Sequence, residues 1–165
     1  ALVANDKENK HVPYVIDRRE GDDYHTLLNH SKAALNYLQR EAKDGFFLMI
    51  EGGKLDYAAH EQDAVATFYE VREFAQAVQL ALDFAEQHPD ETLIVVTADH
   101  ETGGLAIISG NADFNLSEQG VEYKWSTGGH SGTMVPIYLY GTGAERINGV
   151  MENADLGAKL KAMIE

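Results

Sequence analysis

The chain of 165 residues contains no cysteine. A disulfide framework and a cysteine-rich zinc site are therefore both excluded, and any zinc ion must be held by imidazole and carboxylate groups. The absence of thiols leaves the compartment open, because a chain without cysteine is compatible with an oxidising periplasm and equally with the cytosol.

Basic residues are scarce, with 13 lysines and arginines against 27 aspartates and glutamates and a formal net charge of −14. The resulting field repels polyanions, so nucleic acid is not an expected partner. Long apolar runs are also missing, since no stretch approaches the about 18 consecutive apolar residues of a membrane span. The length and the 44% hydrophobic content fit one domain with a core of ordinary size.

The most informative stretch covers residues 51–60, Glu-Gly-Gly-Lys-Leu-Asp-Tyr-Ala-Ala-His, and follows the short apolar run 46–50. Asp56 and His60 are four positions apart, so a helix would place both side chains on one face, where they can bind one ion. Glu51 stands where the predicted strand 46–50 ends. A carboxylate there suits an oxygen-preferring ion such as magnesium, whereas the aspartate and histidine pair suits zinc.

Two later segments carry the same kinds of group next to apolar runs. Residues 92–98 form a buried-strand pattern that leads directly into Asp99 and His100. His130 stands in the string Thr-Gly-Gly-His-Ser-Gly just before the apolar run 134–140, and glycine there lets the backbone come close to whatever the histidine binds. Each group taken alone is more often a solvated side chain than a ligand, but six such groups at predicted strand ends indicate a metal site.

These three motifs resemble those of a known family, the alkaline phosphatases. The resemblance rests on Glu-Gly-x-x-x-Asp-x-x-x-His at 51–60, on Thr-Ala-Asp-His-Glu-Thr-Gly-Gly at 97–104, and on Thr-Gly-Gly-His at 127–130, in family order and at family-like intervals. It covers about the last 140 residues and is highly specific. It implies an α/β fold with a mainly parallel sheet and flanking helices, of which this chain would be the C-terminal half.

The resemblance also implies a metal role for each of the six groups. Three ions share them: Asp56, His60 and His130 for one zinc, Asp99 and His100 for a second, and Glu51 for magnesium. The complete enzyme would thus carry two Zn²⁺ and one Mg²⁺. Tyr57 falls at a position that varies across the family and lies near the phosphate, and we expect it to contact the site only indirectly.

The catalytic nucleophile is the main departure from the family pattern. In this family the nucleophilic serine, the carboxylate that bridges the second zinc to the magnesium site and the arginine that clamps the phosphate lie in the N-terminal half, and none of their motifs occurs here. Ser131 follows a candidate ligand, and we interpret it as the family's hydroxyl position after the ligand histidine rather than as a nucleophile. The chain is therefore expected to be the C-terminal part of a longer enzyme, without a catalytic residue of its own and inactive or nearly so alone.

The implied activity is hydrolysis of a phosphate monoester through a phosphoserine, with two zinc ions clamping the ester. A phosphodiesterase or phosphonate hydrolase of the same superfamily would share these ligands, and a non-catalytic metal-binding module is a further alternative. By resemblance the parent enzyme would be periplasmic or secreted. Its expected partners are the substrate and the missing N-terminal half. Further copies of the chain are also expected, because a truncated sheet exposes apolar surface.

Residues 1–25 are expected to be an irregular lead-in or a former connector to the metal-binding part, 26–165. Within the metal-binding part, hydrophobic periodicity predicts three helices. The first helix is predicted over 26–43 with Thr26 near its cap, and the second over about 63–87. The apolar stripe expected on the second helix comprises Phe68, Val71, Ala75, Val78, Leu82 and Ala85. The closing helix is predicted over 153–164, with Leu156, Leu160 and Met163 facing inward.

Strands are predicted over 46–50, 92–98 and 134–140, with a small hairpin within the excursion 105–125. The succession of strand, helix and strand predicts a right-handed crossover in which 46–50 and 92–98 are parallel neighbours. The carboxyl ends of such strands share one edge of the sheet, where open α/β sheets bind their ligands. This topology would bring the candidate ligands of the first two motifs together.

Overall fold

The computed structural model of the protein describes residues 12–21, 26–108 and 121–164. Its helices are α1 (Leu27–Glu41), α2 (Lys54–His60), α3 (Ala64–Gln87) and α4 (Asn153–Ile164). Its strands are β1 (Leu93–Val96), β2 (Glu101–Thr102), β3 (Ala106–Ile108), β4 (Glu122–Lys124), β5 (His130–Ser131) and β6 (Tyr138–Gly141). Residues 1–11 and 22–25 of the predicted lead-in and 109–120 of the predicted excursion lie outside the described residues.

Helices α1 and α3 begin where side-chain caps allow them to begin. The hydroxyl of Thr26 accepts a hydrogen bond from the backbone N–H of Asn29 at 3.0 Å. The carboxylate of Asp63 accepts the N–H groups of Val65 and Ala66 at 3.0 and 2.9 Å. Each cap satisfies donors that the first turn of a helix leaves unpaired and stabilises the helix by about 1 kcal/mol. Both predicted helices are confirmed, and Thr26 is the cap of the first.

The buried face of α3 is not the predicted apolar stripe. Phe68 and Val71 are 62% and 50% exposed, whereas Glu70 and Glu73 are only 5% and 8% exposed. Of the predicted stripe, Ala85 is buried near the end of the helix. The prediction was wrong for the first half of α3 because hydrophobic spacing cannot identify carboxylates that are buried with partners of their own.

Those partners come from the segment 12–18 and from the start of α1. Glu73 accepts both terminal nitrogens of the Arg18 guanidinium and the backbone N–H of Leu27 at 3.1 Å. Glu70 accepts the N–H of Val15 at 2.7 Å. Burial raises the pKa of Glu70 above its usual value, against the opposing effect of that hydrogen bond. The two carboxylates therefore fasten the described part of the lead-in to α3.

The described strands form three antiparallel ladders of two strands each. In β1·β6, Leu93 lies opposite Gly141 and Val96 lies opposite Tyr138. The predicted strands 92–98 and 134–140 are thus present over part of their predicted length, as β1 and β6. The ladder β3·β4 supplies the hairpin pairing expected between 105 and 125.

The segment 46–50 does not form the predicted strand. Phe47 and Met49 are 66% and 76% exposed, and the segment has no ladder partner within the described ranges. The expected parallel pairing with 92–98 is therefore absent there, because an apolar run becomes a strand only when a neighbour satisfies its backbone groups. Along the described residues, three α-helices are followed by six short strands and the closing helix α4.

The closing helix α4 is confirmed with its predicted inward face. Leu156 is buried, and Leu160 and Met163 are partly buried. The remaining buried apolar positions in the described residues are mostly small: Ala58, Ala59, Ala66, Ala77, Ala85 and Ile147. None of the helices in these ranges is long and apolar enough to cross a lipid bilayer.

Candidate metal centre

Three short elements carry the candidate ligands to one place. Asp56 and His60 lie on successive turns of α2. His100 directly precedes β2, and His130 begins β5. The ladder β2·β5 sets Thr102 opposite His130, so residues nearly thirty positions apart become neighbours.

One close set of donor atoms consists of Asp56 Oδ1, His60 Nε2 and His130 Nε2. The two nitrogens are 3.1 Å apart. The carboxylate oxygen lies 3.4 Å from His60 Nε2 and 3.5 Å from His130 Nε2. A tetrahedral zinc ion with ligand bonds of about 2.0–2.1 Å requires donor atoms about 3.3–3.4 Å apart. The three side chains therefore fit one zinc ion without rearrangement of the chain.

The backbone of the glycine-rich loop orients the ring of His60. His60 Nδ1 lies 2.7 Å from the carbonyl oxygen of Gly128, to which only a protonated nitrogen can donate. That hydrogen bond leaves the lone pair on Nε2, the nitrogen that points toward Asp56 and His130. A histidine ligand whose other nitrogen donates to a carbonyl is the usual arrangement in metal sites.

Thr102 orients two more candidate ligands. Its hydroxyl donates to Asp56 Oδ1 at 2.6 Å and lies 3.1 Å from His100 Nδ1. Since the single hydroxyl proton is given to the carboxylate, the hydroxyl oxygen accepts from His100 Nδ1–H. The Nε2 atom of His100 is then left with its lone pair. Sequence reasoning missed Thr102, although its place two residues after His100 in the Glu-Thr-Gly-Gly string was a signal that could have been used.

His100 lies against the same two residues, Asp56 and His130. Its ring stacks on that of His130, with ring centroids 3.5 Å apart and 21° between the planes. Asp56, His100 and His130 each offer a ligand atom within 4.8 Å of the others. His60 Nε2 lies 3.1 Å from His130 Nε2 and 3.4 Å from Asp56 Oδ1, so His60 and His100 both approach the pair Asp56 and His130. Asp99 Oδ2 lies 3.5 Å from His100 Nε2, again close to the edge of a zinc tetrahedron.

Glu51 is the sequence-predicted ligand that the structure leaves apart. Its side chain lies beside the backbone of Gly53, and within the described ranges no hydrogen bond or ion pair joins it to the other five candidates. The predicted position depended on a strand over 46–50 ending at a sheet edge, and that strand is not formed. Tyr57 is 44% exposed on α2, where the Lys54 ammonium lies 5.0 Å from its ring centroid.

Comparison with known proteins agrees with these motifs. The family profile described as alkaline phosphatase matches residues 7–120. Alkaline phosphatase 3 of Bacillus subtilis is 28% identical over 88% of this chain and 45% of its own length. Streptomycin-6-phosphate phosphatase of Streptomyces griseus is 32% identical over 84% of this chain and 35% of its own length.

Solved structures give the same result at the level of the fold. A mutant of the alkaline phosphatase from the Antarctic bacterium TAB5, with Mg bound in the M3 site, is 30% identical with a TM-score of 0.78. The match covers 92% of this chain and 44% of that one. The α/β fold class is thereby confirmed, and the chain spans less than half the length of these relatives.

Proposed function

The chain belongs to the alkaline phosphatase family, and we propose that it forms the metal-binding part of a phosphate monoester hydrolase. The observation that carries the proposal is the convergence of Asp56, His60 and His130, whose donor atoms lie 3.1–3.5 Å apart. The name of the Streptomyces griseus relative describes a phosphatase whose substrate is a phosphate monoester, which supports the same reaction class.

The proposed ligand assignment places two zinc ions and one magnesium ion in the complete enzyme. The first zinc takes Asp56, His60 and His130, the second takes Asp99 and His100, and magnesium takes Glu51. The TAB5 mutant with Mg bound supports a magnesium role in this family. Bound divalent cations would supply the positive charge that clamps a phosphate ester, polarises phosphorus and stabilises the leaving alkoxide.

The chain's own residues hold and orient those groups. Gly128 fixes the tautomer of His60 through its carbonyl oxygen, and Thr102 fixes the orientations of Asp56 and His100. Tyr57 would line the substrate side of the site without binding metal. Because the chain carries a net charge of −14, a phosphate anion would be repelled by the protein unless bound cations reversed the local charge.

The nucleophile belongs, in this proposal, to a part of the enzyme that the chain does not contain. The relatives are more than twice as long as the segment they share with this chain. A serine from the N-terminal half would attack phosphorus and form a phosphoserine, which water then hydrolyses. The chain alone would be inactive or nearly so, with that half as its partner, and the parent enzyme would be periplasmic or secreted.

Calorimetric titration of the purified chain with zinc at neutral pH tests the ligand assignment. Asp56→Ala and His130→Ala should each weaken zinc binding more than about 100-fold, because a lost ligand costs more than a lost supporting contact. Asp90→Ala and His30→Ala, which remove exposed groups of the same types, serve as matched controls and should bind zinc like the unaltered chain. Equal affinity in all five proteins would contradict the assignment.

A further inference from the structure

Glu101 forms two hydrogen bonds, and none of the six candidate metal ligands takes part in either of them. One carboxylate oxygen accepts the hydroxyl of Ser131 in a short hydrogen bond, and the other accepts the backbone N–H of Gly104 at 2.8 Å. The Ser131 hydroxyl oxygen also accepts from the N–H of Thr133 at 3.4 Å, which directs its proton toward the carboxylate. We call the Glu101 carboxylate, the Ser131 hydroxyl and the Gly104 N–H the clasp.

The clasp closes the ladder on which two candidate ligands depend. Strands β2 and β5 are two residues each, and Glu101 lies directly opposite Ser131 in their register. A ladder this short has few backbone hydrogen bonds, so side-chain bonds across it contribute much of its stability. His100 and His130 are the immediate neighbours of the two clasp residues. Any slip of β2 against β5 would therefore separate the stacked rings of the two histidines.

The glycines after Glu101 and Thr102 are required by the same geometry. Gly103 and Gly104 have φ of +89° and +57°, which only glycine adopts without strain. A Cβ on Gly103 would lie 2.5 Å from the Trp125 ring, and a Cβ on Gly104 would lie 1.8 Å from the Ser126 hydroxyl oxygen. The turn brings the Gly104 N–H back to Glu101, while Gly103 N–H donates to the carbonyl of Gly129 at 2.9 Å.

We propose that Glu101 is a positioning residue of the metal centre, whose clasp on Ser131 and Gly104 sets the separation of His100 and His130 before any metal binds. The expected effect on zinc binding rests on the proposed function. The expected effect on the ladder β2·β5 rests on the clasp geometry alone. Glu101 and Thr102 then have different roles within the Glu-Thr-Gly-Gly string. Glu101 holds the two strands together, and Thr102 orients Asp56 and His100.

The test compares Glu101→Ala and Ser131→Ala with Ser131→Thr, which restores the hydroxyl, and with Glu86→Ala, which removes an exposed carboxylate from α3. Amide hydrogen exchange of the metal-free chain is measured at Gly103 and Gly104, and zinc affinity is measured by competition with a chelator. Removing the clasp should speed exchange at both glycines about tenfold or more while α3 is unchanged. It should weaken zinc binding about 10–100-fold. Ser131→Thr and Glu86→Ala should match the unaltered chain.

Two outcomes would overturn the clasp. The first is exchange at Gly103 and Gly104 unchanged in both Glu101→Ala and Ser131→Ala. The second is faster exchange with zinc affinity unchanged, which would leave the clasp a purely structural contact. If the unaltered chain binds no zinc, the proposed function fails, and exchange at the two glycines alone then supports or overturns the clasp.

Discussion

The candidate metal centre and the apolar flank at 46–50 contrast within one chain. The centre is held by contacts between segments far apart in the sequence: α2, the two-residue ladder β2·β5 and the glycine-rich loop bring four donor side chains together through hydrogen bonds such as those of His60 to Gly128 and Thr102 to Asp56. The apolar flank exposes Phe47 and Met49 and has no strand partner in the described ranges. The metal centre forms because its segments pair with one another, whereas the backbone groups of 46–50 find no neighbouring segment to pair with in the described ranges.

The largest effect on the metal centre is expected from Gly103→Ala, in the turn directly after β2. The new methyl group would meet the Trp125 ring at 2.5 Å and the Ala59 carbonyl oxygen at 3.0 Å, at a φ of +89°. We expect a loss of about 2–4 kcal/mol in the free energy of unfolding, measured by urea denaturation, from steric conflict and backbone strain together.

Gly132→Ala is the matched control for that substitution. A Cβ there would meet nothing within 4 Å, and the position lies next to the same ladder. Its free energy of unfolding should stay within about 0.5 kcal/mol of the unaltered chain. Equal stability of the two variants would show that the tight turn beside β2 does not hold the centre together.

A second, smaller effect is expected from Thr102→Val, which keeps the shape of the side chain and removes its hydroxyl. Asp56 and His100 lose the group that orients them, so zinc affinity measured by chelator competition should fall about tenfold or more. Thr102→Ser should restore most of it. Full zinc affinity in Thr102→Val would mean that the 2.6 Å hydrogen bond to Asp56 plays no part in ligand placement.

The apolar flank should control self-association without touching the metal centre. Exposed apolar groups favour contact with other copies, so the chain should associate at micromolar concentrations. Phe47→Ser together with Met49→Ser should raise the dissociation constant at least about tenfold, given the apolar area removed. Sedimentation velocity measures this change. A monomeric unaltered chain at these concentrations would be evidence against a flank that drives association.

The smallest effect concerns pH and the Glu70 carboxylate on α3, which is not a candidate metal ligand. Burial raises the pKa of Glu70 in the folded chain, so the folded state holds this proton at pH values where the unfolded chain has released it. That contribution to stability is present below the unfolded pKa near 4.5 and is lost as pH rises through the folded value. Glu70→Gln should therefore gain stability relative to the unaltered chain between pH 4.5 and 7, in urea denaturation with chelator present.

Nearby charges also act on that carboxylate. Glu73 raises the pKa of Glu70, while Arg18 and Lys54 lower it. The stability difference between Glu70→Gln and the unaltered chain should therefore change with pH. A difference that stays constant with pH would contradict a raised pKa of the buried Glu70 carboxylate. Glu86→Gln, an exposed carboxylate on the same helix, should show no pH-dependent difference.

The sequence predicted best what depends on neighbouring residues. Caps at Thr26 and Asp63 and the four-residue spacing of Asp56 and His60 are local, so the helices and one face of the site followed from pattern. The buried face of α3 did not, because Glu70 and Glu73 find partners more than forty positions away. The family resemblance suggested His100 and His130 as ligands, but not the Thr102 hydroxyl that orients one of them.

The ligand set of the first zinc is tested most directly by the position of zinc in a crystal of the zinc-loaded chain, located by anomalous scattering at the zinc edge. We expect a peak within about 2.0–2.2 Å of Asp56 Oδ1, His60 Nε2 and His130 Nε2 together. A zinc peak elsewhere, with these three side chains free of metal, would contradict this ligand set.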